Sequence, residues 1–196
     1  MDYSKLNEIS KFNNKKFPFR EVIRNIEKHD VLKFDNIELL DILKNACKNT
    51  IMPVNNVGFV GRPNEFGNIV ANLFAVECKN LKLNYQKPRD SKGKYKESGY
   101  PDGLIKFDNK YFYMELKTCE EKQQNQTFRT FFYSPSTNSK IIYDASHLLI
   151  CFLTTKNSGI LQLNGNYHIV DMYEKEVKLK LEYNSNNKEL YGGRLL

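Results

Sequence analysis

Asp102, Glu115 and Lys117 are the residues whose types and spacing can do chemistry. They lie in Tyr100-Pro-Asp-Gly-Leu-Ile-Lys-Phe-Asp-Asn-Lys-Tyr-Phe-Tyr-Met-Glu-Leu-Lys117, a stretch otherwise dominated by apolar and aromatic residues. Alternate side chains of a strand share a face, so Tyr111, Tyr113, Glu115 and Lys117 point one way and Phe112, Met114 and Leu116 the other. Asp108 and Asn109 tolerate positive φ and predict a tight hairpin between strands at 102–107 and 110–118. Twelve residues lie between Asp102 and Glu115, with the turn near their midpoint. Both carboxylates and the amine are therefore expected to converge at the open end of the hairpin. Two carboxylates held together repel, and burial beside aromatic rings makes each charge costlier. Mg²⁺ resolves both problems, because it accepts one or two carboxylates with water and phosphate oxygens completing its shell. Such an ion polarises a phosphate and acidifies a bound water. Lys117 would orient that water and offset charge on phosphorus. This is equipment for phosphodiester hydrolysis.

The elements that must position these groups follow from periodicity. Phe19, Val22, Ile23 and Ile26 keep a 3.6-residue period after Pro18. Ile37, Leu39, Leu40, Ile42 and Leu43 form a second stripe, with Asn36 or Asp35 as cap. Pro63 and Asn64 open a third helix, marked by Phe66, Ile69, Val70, Leu73 and Phe74. Residues 87–99 are polar, basic and rich in turn formers, and predict a mobile surface loop. After the hairpin, Ser134 to Lys140 reads as a polar loop and Leu148 to Leu153 as a strand covered on both faces. Ile160–Leu163 and Tyr167–Val170 flank Asn164-Gly165, which predicts a hairpin turn. Val177, Leu179, Leu181 and Tyr183 alternate with polar residues and predict a last half-buried strand. The order is a helical N-terminal third, a hairpin, then mixed strands: one α/β domain over 1–196, with a central mixed sheet flanked by helices.

Pro101-Asp102 followed by Glu115-Leu116-Lys117 resembles the PD-(D/E)xK nuclease superfamily, and its type II restriction endonucleases in particular. Glu120-Glu121-Lys122 and Glu176-Val177-Lys178 also spell E-x-K. Only Glu115-Leu116-Lys117 ends a strongly apolar strand one turn after a Pro-Asp strand. The resemblance implies a restriction-endonuclease-like core, metal ligation by Asp102, Glu115 and the Leu116 carbonyl, and Lys117 at the attacking water. Several such enzymes add a glutamate from an upstream helix. Glu65, in the first turn of the third helix, is the natural candidate, and Glu77 near its far end is the weaker one. Phe128 to Ser136, Ser139-Lys140-Ile141 and the strand from His147 to Leu153 also resemble segments that follow E-x-K in small restriction enzymes. Site-specific hydrolysis of double-stranded DNA by a twofold dimer is the implied function. A repair nickase or junction resolvase keeps the same chemistry, and a DNA-binding protein with a decayed site is a third reading.

Charge and composition agree with a polyanionic partner. Thirty Lys and Arg against 23 Asp and Glu leave a net charge of +7, and phosphate neutralisation drives association by counterion release. Lys92, Lys94 and Lys96 of the basic loop, with Arg129, Ser136, Asn138 and Lys140, are the candidate DNA contacts. Cys47, Cys78, Cys119 and Cys151 stand far apart and read as small apolar residues. Without a C-x-x-C pair, or a histidine paired with a cysteine, zinc sites, HNH-type nucleases and cysteine hydrolases are hard to build. His147, opening an apolar strand, is expected to be structural. No run of apolar residues is long enough for a membrane span, which leaves a reducing cytoplasm as the simplest setting.

Overall fold

A computed structural model describes residues 6–96, 98–124, 126 and 131–182. Its elements run α1 (Leu6–Ser10), β1 (Lys16–Pro18), α2 (Phe19–Glu27), β2 (Val31–Leu32), α3 (Ile37–Asn56), α4 (Pro63–Asn80), β3 (Asn84–Gln86), β4 (Gly103–Phe107), β5 (Lys110–Glu120), a 3-10 turn (Glu121–Gln123), β6 (Ala145–Asn157), β7 (Ile160–Asp171) and β8 (Glu176–Lys178). The three expected helices all form. The Asn36 side chain accepts the Leu39 N–H at 2.8 Å and caps α3. Pro63, which has no N–H to leave unsatisfied, opens α4. Phe66, Val70, Phe74 and Cys78 make the buried stripe of α4.

Six strands form one mixed sheet in the order β2-β6-β5-β4-β3, with β7 also paired to β6. Strands β5 and β6 are parallel from Phe112↔Ser146 to Glu120↔Thr154. Strands β4 and β5 are antiparallel through the predicted hairpin. Asp108 and Asn109 take φ values of 48° and 59° at its turn, the backbone that twists two strands into register. The β4–β5 pairing stops at Gly103↔Met114, while β5 runs on to Glu120. The far half of β5 thus presents an edge that β4 does not cover. Helices α3 and α4 cover one face, packing Leu39, Leu43, Phe66 and Phe74 on Phe112, Met114, Leu116 and Phe152. On the other face Phe19 and Ile23 of α2 pack with Tyr100, Tyr113, Ile141 and Met172.

The structure departs from the sequence reading in four places. Asn164-Gly165 is not a hairpin turn but a bulge inside the continuous strand β7. The register jumps from Phe152↔Tyr167 to Thr154↔Leu163, and the Asn164 side chain accepts the Asn166 N–H at 2.9 Å. The hairpin turn falls instead at Ser158 and Gly159, both at positive φ. A second departure is the last strand, which shrinks to β8 and pairs with β1 in a separate two-stranded sheet; Tyr183, expected at its end, lies outside the described residues. Third, the apolar stripes of α2 and α3 lose a member each: Ile26 of α2 is 45% exposed and Ile37 of α3 is 75% exposed. Finally, the basic loop is pinned rather than loose. Buried Asp90 accepts the N–H groups of Lys92 and Lys94 at 2.9 and 2.8 Å, and Arg89 lies over the Tyr95 ring at 4.0 Å. Strands β1, β2 and β3 had no clear sequence signal, because two or three residues are too few to show a period.

Candidate active site

The open edge of β5 is where the predicted carboxylates and amine meet. The Asp102 N–H donates to the Met114 carbonyl at 2.9 Å, one rung past the end of β4. The next acceptor in the ladder is a side chain: Asp102 Oδ2 takes the Leu116 N–H at 2.9 Å. A carboxylate thus replaces the backbone oxygen that a longer β4 would have supplied. In a strand the N–H and C=O of one residue point to the same side, so the Leu116 carbonyl faces the edge that Asp102 occupies.

Glu115 and Lys117 stand beside it on the opposite face from Leu116, as alternation requires. Lys117 Nζ lies 2.5 Å from Glu115 Oε1. Glu115 is 4% exposed, and its other oxygen, Oε2, has no hydrogen-bond partner among the described residues. Burial, reinforced by the Asp102 charge, pushes the Glu115 carboxyl up to about 7, while Lys117 pulls it back. A buried anion with an unsatisfied oxygen beside a second anion is poorly solvated, and a cation would relieve it.

A cleft of roughly 660 Å³ opens on this edge, lined by Asp102, Leu116 and Lys117, by Asn64 and Asn68 of α4, and by Lys156 of β6. Gly67 of α4 faces β5 across the cleft, where a methyl would meet Thr118 Oγ1 at an ordinary contact distance of 3.7 Å. Glu65 is exposed in the first turn of α4. It does not line the cleft, but its Oε2 lies about 3.1 Å from where a Cβ on the cleft residue Gly61 would stand. Glu77 is three turns further along, with the Asn80 side chain donating to it at 3.2 Å. Among the described residues no cluster of three or more His, Cys, Asp or Glu assembles into a metal site. The donor set at the edge is two carboxylates and a main-chain carbonyl. An all-oxygen set that small suits magnesium, which keeps several waters, and fits no thiolate- or imidazole-loving metal.

The candidate DNA contacts divide into three. Lys92 and Lys94 are exposed on the pinned turn. The Lys96 ammonium donates to Ser136 Oγ at 3.1 Å and joins that turn to the 131–144 loop, where Ser136 also accepts the Asn138 N–H at 3.3 Å. Lys140 lies inside: it is 4% exposed and its ammonium donates to the carbonyls of Gly99 at 2.6 Å and Pro101 at 2.9 Å. Burial lowers its pKa, and the nearby Asp102 and Glu115 charges oppose that shift. Arg129 lies outside the described residues. Asn64, Asn68 and Lys156 escaped the sequence reading. The polar i, i+4 pair at the start of α4 was the signal for the first two.

Similarity to known proteins is consistent along the chain. A family model described as the type II restriction enzyme MjaV family matches residues 9–194. Among curated proteins, the type II restriction enzyme MjaV of Methanocaldococcus jannaschii is 34% identical over 180 residues, covering 83% of this chain and 77% of that protein.

Proposed function

The chain belongs to the type II restriction enzyme MjaV family, and on that premise we propose that it hydrolyses double-stranded DNA at a specific site with Mg²⁺ at the open edge of β5. One observation carries the reading. The Asp102 carboxylate, held on the Leu116 N–H, and Lys117, paired with the buried Glu115, line one cleft at the end of an otherwise apolar strand.

Asp102, Glu115 and the Leu116 carbonyl would hold the ion. When bound, it would polarise the scissile phosphate and lower the pKa of a water. The protein's own groups do the rest. Glu115 Oε1 holds the Lys117 ammonium in place, so that its remaining protons are directed at the attacking water and at charge developing on the phosphate. Asn64, Asn68 and Lys156 also line the cleft, where they would meet the sugar-phosphate backbone. Glu65 serves as a further carboxylate at the cleft's rim. Lys92, Lys94 and the Lys96–Ser136 junction contact the DNA flanking the cut. The same reading takes the enzyme to act in the cytoplasm as a twofold dimer on a palindromic site.

Incubation of plasmid DNA with Mg²⁺ tests the whole. Discrete fragments are expected, abolished by EDTA, by Lys117→Ala and by Asp102→Ala. Both variants should keep near-parental DNA affinity in EDTA, because contacts elsewhere supply most of the binding. A Lys117→Ala protein cutting at the parental rate would refute the site. Nicked circles would assign the chemistry to a repair or junction enzyme instead.

A further inference from the structure

We infer that Lys140 is a positioning residue of this site: its buried ammonium clamps the main chain leading into Asp102 and stands as the fixed countercharge behind the Asp102–Glu115 pair. The inference rests on the proposed site and adds a residue to it.

A lysine in a polar loop ordinarily keeps its ammonium in water, because transferring the charge inward is unfavourable unless it is paired and hydrogen-bonded. Lys140 is 4% exposed. It meets the hydrogen-bond requirement with carbonyls two residues apart, those of Gly99 and Pro101. Both lie immediately before Asp102, whose N–H and carboxylate then meet Met114 and Leu116. The clamp therefore acts on the backbone that aims the Asp102 carboxylate at the edge.

The charges make the same point. Asp102 and Glu115 both attract the Lys140 ammonium. Lys117 is another cation at this edge, but it lines the cleft and is needed by the substrate. Lys140 does not line the cleft, so it still opposes the two carboxylates when Lys117 turns to phosphate. It also ties the loop bearing Ser136 and Asn138 to the catalytic strand end, and the Lys96–Ser136 bond extends that link to the basic turn.

Three substitutions test this in the full-length protein. Lys140→Met removes charge and donors, Lys140→Gln keeps donors without charge, and Lys140→Arg keeps both. Single-turnover cleavage should fall about 100-fold in the first two, the scale of an ångström-sized misplacement of a reacting group, and recover substantially in Lys140→Arg. DNA affinity measured in EDTA should stay within about threefold of the parent in all three, with an unchanged salt slope. If Lys140→Met does not fold, Lys140→Gln and Lys140→Arg carry the comparison. Parental cleavage by folded Lys140→Gln overturns the inference. So does a weakened affinity in EDTA with a salt slope shallower by about 0.9, the mark of one fewer phosphate neutralised. A lowered melting temperature with an unchanged rate per folded molecule reduces Lys140 to packing. Lys117→Ala separates the two failures. If it is inactive while the Lys140 variants behave as the parent, the site stands and only the clamp falls. If Lys117→Ala cleaves normally, the site itself is wrong.

Discussion

Two polar side-chain atoms are buried without a hydrogen-bond partner among the described residues, Glu115 Oε2 and His147 Nε2, and they lie on the same face of neighbouring strands. His147 pairs in register with Tyr113, two residues from Glu115. Their surroundings differ completely. His147 is fully buried among rings of Phe19, Tyr100 and Tyr113 at centroid distances of 5.5, 5.8 and 4.9 Å. Its Nδ1 shares a 2.5 Å hydrogen bond with the Tyr100 hydroxyl, and burial depresses its pKa to about 3, keeping it neutral. Glu115 stands among charges, with Asp102, Lys117 and Lys140 all acting on it, and two of these, Asp102 and Lys117, line the cleft. An unsatisfied atom in a sealed aromatic pocket is a cost of packing. The same defect at an open edge, next to a second carboxylate, is where the proposed ion would bind. Burial alone does not separate the two, whereas the neighbouring charge and the route to solvent do.

The largest expected effect breaks the comparison at its open end. Glu115→Gln should lower single-turnover cleavage by about 10³-fold, as expected for loss of a pre-organised electrostatic group. The same substitution should raise folding stability at pH 8 by about 2 kcal/mol, because the native carboxyl prefers its proton and an amide carries no charge. Denaturant titration alongside the cleavage assay checks both signs. Loss of stability together with activity would make Glu115 a structural group like His147.

His147→Ala attacks the sealed end and should cost about 3 kcal/mol of stability, from the cavity and the orphaned Tyr100 hydroxyl. A melt at neutral pH reads it. A loss below about 1 kcal/mol would mean that the aromatic pocket collapses around the gap.

The two residues also oppose each other in pH. The raised Glu115 pKa contributes stability that is present below about pH 4.5 and lost as pH rises through about 7. The depressed His147 pKa works the other way, with stability present above about pH 6.5 and lost as pH falls toward 3. Between pH 6.5 and 4.5 the slopes cancel, so these two groups leave the parent's stability nearly flat there. Glu115→Gln should uncover a decline on acidification approaching about 1.4 kcal/mol per pH unit, and His147→Ala a gain of similar slope. Parallel curves for parent and both variants would dissolve the contrast.

The same two regions show what the sequence could carry. The hairpin, its turn residues and the convergence of Asp102, Glu115 and Lys117 were legible, because strand alternation and turn chemistry are local rules. His147 was legible as a structural residue because it opens an apolar run. Lys140 was not. Its loop reads as solvated, and nothing near it in sequence reveals that Gly99 and Pro101, some forty positions away, will receive its ammonium. Asn164-Gly165 misled for a related reason. The dipeptide supports any positive-φ kink, and only the pairing of β7 with β6 on both sides of it turns the kink into a bulge. In the sequence Asp90 is one polar residue among many, although its carboxylate holds the basic turn closed.

That pinned turn gives the smallest effect and the most direct contrast with Lys140. Lys94 is exposed, and its backbone N–H, not its ammonium, is bound by Asp90. Among the described residues its ammonium has no ion-pair partner, and it is exposed to meet phosphate. Lys94→Ala should weaken DNA binding in EDTA about threefold and make the salt slope shallower by about 0.9, the increment for a single neutralised phosphate. Asp90→Ala should weaken binding further than Lys94→Ala alone, because it releases the turn presenting both Lys92 and Lys94 and returns conformational entropy to the free protein. Titrating fluorescent duplex at several salt concentrations distinguishes them. A Lys94→Ala slope equal to the parent's would remove Lys94 from the DNA interface. It would leave Lys92 and the Lys96–Ser136 junction as the basic turn's remaining links to DNA.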